Sequence, residues 1–296
     1  MNSTKHTQSA IVIPSVFVFL WATGFIGARY GLPYMEPMTF LAIRMGFASV
    51  ILLIMALISK ASWPPTPLAA IHVIVAGLLV HGGYLGGVWA AIAIGMPAGM
   101  VSLIVGMQPI LTSVAAFFIL NERLTLRQWA GLLIGLIGLF LVLGHRVSGH
   151  DLTPLSGLYA CIGLVSISAG TVYQKKFFAS VDIRTGGVLQ YITSGLLFWL
   201  LAICFEHRTV HWNTSLIFAM AWSVLALSVG AVALLYKLIR DGEASEVSSL
   251  LYLVPPVTAL IAYICFNERL TTMAMFGMAL VALGVALVVL RFQTRR

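Results

Sequence analysis

Charge is what this sequence has least of. Its 296 residues include only 17 Lys and Arg and 9 Asp and Glu, 9% in all, where soluble domains hold roughly 25%. So few charges cannot cover a 32.0 kDa globule in water. With hydrophobic residues at 60%, most of the outside must face an apolar medium. A cytosolic enzyme and a disordered chain are both excluded. Cysteine is nearly as scarce. Cys161, Cys204 and Cys265 are odd in number, lack ligand spacing and lie in or beside apolar runs, which excludes a disulfide-rich secreted module and predicts buried free thiols. His-Glu-x-x-His, paired aspartates, Gly-x-Ser-x-Gly and a nucleotide loop are all missing, so an intramembrane enzyme has no catalytic set, and no cofactor or metal is expected. A channel would show a polar stripe or a charged ring at one depth, and a receptor would bring soluble loops; neither is present. The net charge of +8 forms no patch, so nucleic acid is not a partner.

What the chain does have is apolar length. Runs able to cross a bilayer core of about 30 Å fall at 11–29, 38–58, 68–92, 97–119, 127–144, 155–175, 186–205, 215–237, 245–266 and 271–291. Fusing the third and fourth into one long helix would give nine, which Pro97 opposes. The first run lacks a clean cleavage site and reads as a retained span. With both termini inside, twelve Lys and Arg fall on the inner side and four (Arg29, Arg146, Arg208 and Arg269) on the outer. That bias supports an even span number and cytoplasmic termini. The expectation is an all-α integral membrane protein of ten transmembrane helices.

The chain also repeats. Asn121-Glu122-Arg123-Leu124-Thr125 recurs as Asn267-Glu268-Arg269-Leu270-Thr271, an offset of 146 residues. In the same register Ala98, Val101, Ser102, Pro109, Thr112 and Ala116 meet Ala244, Val247, Ser248, Pro255, Thr258 and Ala262. Behind the pentapeptide, Gly131, Gly138, Leu141 and Val142 meet Gly277, Gly284, Leu287 and Val288. Five spans per copy is an odd number, so the second copy enters the membrane from the opposite side. Two inverted five-helix repeats, 12–143 and 154–290, suit a secondary transporter with its site between them near the midplane. The alternative is an old duplication that serves packing alone.

Tandem five-helix units, Trp21-Ala22-Thr23-Gly24-Phe25 in the first span, Phe40-Leu41-Ala42-Ile43-Arg44 in the second, and Asn-Glu-Arg-Leu after the proline-bearing fourth and ninth spans resemble the EamA family of the drug/metabolite transporter superfamily. The resemblance covers essentially the whole chain. It implies export of a small metabolite across a bacterial inner membrane by alternating access, and is nearest to amino-acid exporters of the YddG type. Export of lipophilic cations by proton antiport is the alternative. Lipid bilayer and small-molecule substrate are the expected partners, and nothing requires more than a monomer.

The cargo path should use the few polar groups inside the spans. His81 lies mid-span, with Tyr84 and Val88 on its helical face; an ionisable group at that depth is either a substrate contact or gate or interhelical glue. Gly82 with Gly86, and Gly83 with Gly87, allow close helix approach. Tyr84 and Trp89 could stack on a substrate side chain, although Trp89 equally suits an interfacial aromatic belt, the reading favoured for it. Pro109, Pro255 and Pro256 should break the fourth and ninth helices at repeat-related places, which points to a central site or shapes packing only. That places the cavity between spans 3, 4, 8 and 9, with 1 and 6 nearby. Trp21, Ser102, Gln108, Ser248 and Tyr252 are further lining candidates. Arg44 can hold a substrate carboxylate, cap carbonyls or snorkel outward; its repeat equivalent is Gln190. Lys175 and Lys176 read as topology signals. No Asp or Glu lies mid-span, which favours facilitated efflux over ion coupling. Sugar phosphates and nucleotides would need more buried cations than one arginine, so small zwitterions or apolar amino acids fit better.

Overall fold

The computed structural model describes residues 2–24, 30–96, 101, 104–143, 153–177, 181–241, 244–266 and 271–289. Among them every regular element is helical, and the sole extended pairing is an isolated bridge between Met35 and Val210. The helices are α1 Asn2–Ala22, α2 Pro37–Ile58, α3 Pro67–Ala93, α4 Gln108–Leu120, α5 Leu126–Leu143, α6 Pro154–Phe177, α7 Ile183–Phe205, α8 Thr214–Asp241, α9 and α10 Thr272–Val289. α9 comes in three pieces: Ala244–Leu250, a tight 3-10 turn Leu251–Leu253, and Val254–Phe266. α2, α3, α6, α7 and α8 are long and apolar enough to cross a membrane, and shorter apolar stretches lie within the others.

Local chemistry sets the helix starts. Pro37, Pro67 and Pro154 occupy first turns, where the missing N–H costs nothing. Thr66 and Asn213 accept hydrogen bonds from Ala69 N at 3.1 Å and Leu216 N at 2.8 Å. Asp182 caps α7 through Arg184 N at 2.9 Å and pairs with the Arg184 guanidinium at 2.7 Å. The bond from Arg184 holds the Asp182 carboxyl below its ordinary range. Its contribution is therefore present above the usual carboxylate pKa and is lost as pH falls through the lowered value. Asp182→Ala should cost about 1 kcal/mol, seen as a lower thermal midpoint of the purified protein at neutral pH.

The burial pattern is inverted relative to a soluble protein. Ile58, Phe118, Leu126, Phe205 and Ile264 are exposed, whereas Arg44, His81, Gln108, Gln190 and Ser194 are buried. An outside of bulky apolar side chains is what lipid selects. It also corrects the expectation for two thiols: Cys161 and Cys204 are free but exposed. In lipid a thiol behaves as a small apolar group, so exposure there carries no penalty. The Cys265 side chain lies outside the described residues.

Repeat-equivalent helices pack on one another, α2 along α7 and α5 along α10. The contacts are crosswise. Gly131 lies against Gly284, and Gly138 against Gly277, although in sequence Gly131 matches Gly277 and Gly138 matches Gly284. Between α2 and α7, Leu52 meets Gly187 and Met45 meets Gly195. Reciprocal contacts of this kind require antiparallel helices related by a local two-fold. Both third-position helices also carry a π-helical stretch, Leu78–Gly83 in α3 and Ser223–Ala231 in α8. One end of the α2–α7 pair is clamped. The Glu206 carboxylate accepts from Met38 N at 2.6 Å, Thr39 N at 2.8 Å and Thr39 Oγ1 at 2.7 Å. A carboxylate on the first amides of α2 also complements the helix dipole.

Candidate functional site

A cavity of about 660 Å³ of empty space, counting its mouth, opens between α1, α2, α3 and α8. α3 supplies a continuous stripe to it: Val80, His81, Tyr84, Leu85, Val88, Trp89 and Ile92. The stripe begins in the π-helical stretch, whose wider turn changes which side chains share a face. α1 contributes Trp21, α2 Arg44, and α8 Leu227 and Val232. A smaller space between α1, α3, α4 and α9 is lined by Gln108, Leu251 and Pro255 among others. Trp21 and Tyr84 line both. Their rings stack with centroids 6.4 Å apart and planes at 12°, so this aromatic pair partitions the interior into two chambers.

The polar groups of the larger chamber are few and fixed. Arg44, 6% exposed, donates from Nε to Ser228 Oγ at 2.9 Å. Among the described residues no carboxylate pairs with it. The buried guanidinium does not snorkel to an interface, and among the described residues it caps no carbonyl; its remaining donors are left for the chamber that it lines. His81 Nε2 lies 2.9 Å from the Tyr236 hydroxyl. Tyr236 donates onward to Gln190 Oε1, and Tyr191 donates to the carbonyl of Ser228. The Tyr191 ring meets the His81 ring at 4.7 Å, tilted by 43°. α7 thus holds α3 and α8 in register behind the chamber wall.

The sequence pattern of the EamA-like transporter family matches this chain twice, over residues 8–144 and 155–290. The chain belongs to the EamA-like transporter family. Its similarity runs nearly end to end with transporters of that kind. It is 28% identical to the Bacillus subtilis protein named "Uncharacterized transporter YvbV", covering 97% of this chain and 93% of that one. It is 25% identical to a Salmonella typhimurium "Probable amino-acid metabolite efflux pump", covering 94% of each chain. A solved structure of 20% sequence identity superposes with a TM-score of 0.80 over 95% of this chain and 97% of its own, which establishes the shared fold. The fold and family are those of a multi-pass membrane transporter rather than of an enzyme.

Against that EamA-like scaffold the candidate residues separate cleanly. Trp21, Arg44, His81 and Tyr84 converge on the larger chamber, and Gln108 and Pro255 on the smaller. Ser248 and Tyr252 are buried, with hydroxyls that lack a partner, and they line neither chamber; the Tyr252 ring packs on Gly135 of α5 instead. Ser102 lies outside the described residues. Gly82 and Gly86 face Leu197 and Phe198 side chains of α7, while backbone contact with α6 falls to Gly87, where an added Cβ would lie 2.6 Å from Tyr159 O. Pro109 sits in the first turn of α4, just after a turn at residues 106–107. Pro255 and Pro256 stand equivalently after the tight turn in α9. These helices are broken rather than bent, because a proline in a first turn forfeits no hydrogen bond.

Two positions depart from the sequence reading. Trp89 is not in a lipid-facing belt: it is 5% exposed, stacked on Phe40 at 5.1 Å, and lines the chamber. The π-helical turn just before it rotates that face inward. The larger chamber is also walled by α2, through Arg44, more than by α4 and α9. Gln190, Tyr191, Ser228 and Tyr236 escaped sequence reasoning as site residues. The available signal was that Gln190 is the repeat equivalent of Arg44, a polar pair at matched depth.

Proposed function

We propose that this protein exports small carboxylate-bearing metabolites, foremost amino acids, across a bacterial inner membrane by alternating access. Ten spans form two inverted five-helix repeats, 12–143 and 154–290, with both termini in the cytoplasm. The antiparallel, crosswise packing of α5 on α10 supports the inversion, since an in-plane two-fold is what opposite insertion produces. Paired π-helical stretches in α3 and α8 and paired breaks in α4 and α9 give each repeat the same deformable points. Names of relatives such as the Salmonella efflux pump support the direction and the cargo.

One observation carries the cargo reading: Arg44, buried in the chamber wall with no carboxylate partner among the described residues. An uncompensated cation at that depth is costly unless a ligand anion completes it. It also opposes lipophilic cations, which would have to sit beside it. The apolar and aromatic remainder of the wall suits an uncharged side chain. Purified protein in liposomes should move labelled neutral amino acids down their gradient without chemical change. Unlabelled amino acids should compete, and cationic drugs should not. Competition by the drugs alone would overturn the reading. Among the described residues no carboxylate lines either chamber, so the rate should be indifferent to an imposed pH gradient. A rate that follows that gradient would instead mark proton exchange.

A further inference from the structure

Trp21 and Tyr84 are the residues that the two chambers have in common. What divides the chambers there is a pair of side chains, stacked at 6.4 Å. Trp21 leans on the fully buried Phe17 ring at 5.3 Å. The Tyr84 hydroxyl is engaged by the Trp21 indole and by the charge of Arg44. On either side of Tyr84, α3 is seated against α6. An added Cβ would lie 2.7 Å from Ser166 Cβ at Gly83 and 2.6 Å from Tyr159 O at Gly87. The backbone that carries the Tyr84 ring is therefore fixed, and removing the ring leaves a space that α3 cannot fill without leaving α6. Beyond the rings the smaller chamber has about 370 Å³ of empty space, counting its mouth. Its walls are mostly apolar, through Val105, Leu251, Val254 and Pro255, and Gln108 is the polar side chain that it adds. Val105 and Leu251 are repeat equivalents at the two helix breaks, so these walls belong to the parts of α4 and α9 least braced by helical hydrogen bonds.

We propose that Trp21 and Tyr84 set the length of the cargo side chain, and that the smaller chamber is a latent extension of the cargo site closed by the Tyr84 ring. The proposal rests on Arg44 holding the carboxylate. Because the Arg44 charge acts on the Tyr84 hydroxyl, a carboxylate bound there places the rest of the amino acid beside the partition, and its side chain ends against the rings. The favoured substrates are then amino acids with compact apolar side chains, longer ones being refused by length rather than by chemistry. Each methylene buried in an apolar wall raises affinity about fourfold. A chain that reaches the rings gains nothing further and must strain or displace them.

The test is calorimetric titration of the purified full chain with straight-chain 2-amino acids from 2-aminobutyrate to 2-aminodecanoate. For the native protein, affinity should rise about fourfold with each methylene, pass through a maximum and then fall. In Tyr84→Ala the maximum should move to chains about two methylenes longer, with the longest acids bound about tenfold more tightly than by the native protein. The position of the maximum is the readout, because a general loss of affinity or stability does not move it. Tyr84→Phe retains the ring and should retain the native maximum. Adding Val254→Phe to Tyr84→Ala fills the smaller chamber from α9 and should bring the maximum back. If the alanine variant does not fold, Trp21→Ala opens the same partition from α1 and should give the same shift. A native affinity that keeps rising through the series overturns the proposal, as does a maximum that these openings leave in place. So does a shift that survives Val254→Phe, which would put the chain elsewhere. Norleucinamide, which lacks only the carboxylate of norleucine, separates the two readings. Its binding as tightly as norleucine, or no binding of any acid in the series, overturns the Arg44 reading itself.

Discussion

Replacing Arg44 with methionine is expected to lower net amino-acid flux in liposomes by about 100-fold while leaving the protein at least as heat-stable. The two halves of that result have one cause. Truncating one member of a buried, hydrogen-bonded charge pair typically costs about 2–5 kcal/mol, and in this chamber the other member is the cargo. The folded protein by itself contains no such pair: the guanidinium has Ser228 Oγ at 2.9 Å and, among the described residues, no carboxylate. Removing it orphans one neutral hydroxyl and relieves the desolvation of a cation. Methionine fills nearly the same volume, so no large cavity opens against Tyr84 or Val80. Arg44→Lys should fall between, with about a tenfold loss, because an ammonium retains charge but not the planar fork that engages both carboxylate oxygens. A purely structural arginine predicts the opposite pairing, a lower melting temperature together with roughly proportional loss of flux. Wild-type flux in the methionine variant would end the carboxylate assignment.

How much of this could be read from the chain alone depends on sequence distance. The helix starts and the breaks were legible, because Pro109, Pro255 and the caps Thr66 and Asn213 act on their own neighbours. The polar lining of α3 was legible too, since His81, Tyr84 and Val88 share a helical face. Repeat arithmetic went further and put Arg44 opposite Gln190 in register. What stayed hidden is pairing across the bundle. His81 meets Tyr236 and Arg44 meets Ser228 through helices far apart in sequence, and no local pattern encodes which of many buried hydroxyls is the partner. The inward turn of Trp89 was illegible for another reason. A π-helical stretch leaves no hydrophobic periodicity, so the face of α3 beyond Gly83 could not be phased from the sequence. Ser248 and Tyr252 show the complementary error: repeat position and polarity located them in depth, but not on which side of α9 they point.

Gly284→Leu is expected to abolish recovery of folded protein, and Gly284→Ala to lower its melting temperature clearly. At Gly284 an added Cβ would stand 2.6 Å from Gly131 O and 2.6 Å from Gly135 N. Across the contact, a Cβ on Gly138 would stand 2.7 Å from both Gly277 O and Val281 N. All are backbone atoms, which cannot swing aside as a side chain can, so α5 and α10 would have to separate along their length. In lipid no hydrophobic force brings them back together; close van der Waals packing through small residues is what holds helices there. Overpacking a site that can relax costs about 1–3 kcal/mol, and this one cannot relax without parting the two repeats. The control is Gly157→Ala in α6, where nothing lies within 4 Å. That change should be neutral or slightly stabilising, since alanine is the better helix former by about 1 kcal/mol. Because the contact is crosswise, Gly138→Ala should reproduce the Gly284→Ala defect. Since both changes separate the same pair of backbones, the double variant should lose less than the sum of the two. Additive losses, or a Gly284→Leu protein that elutes as a single folded species, would show that the repeats are not joined through this glycine seam.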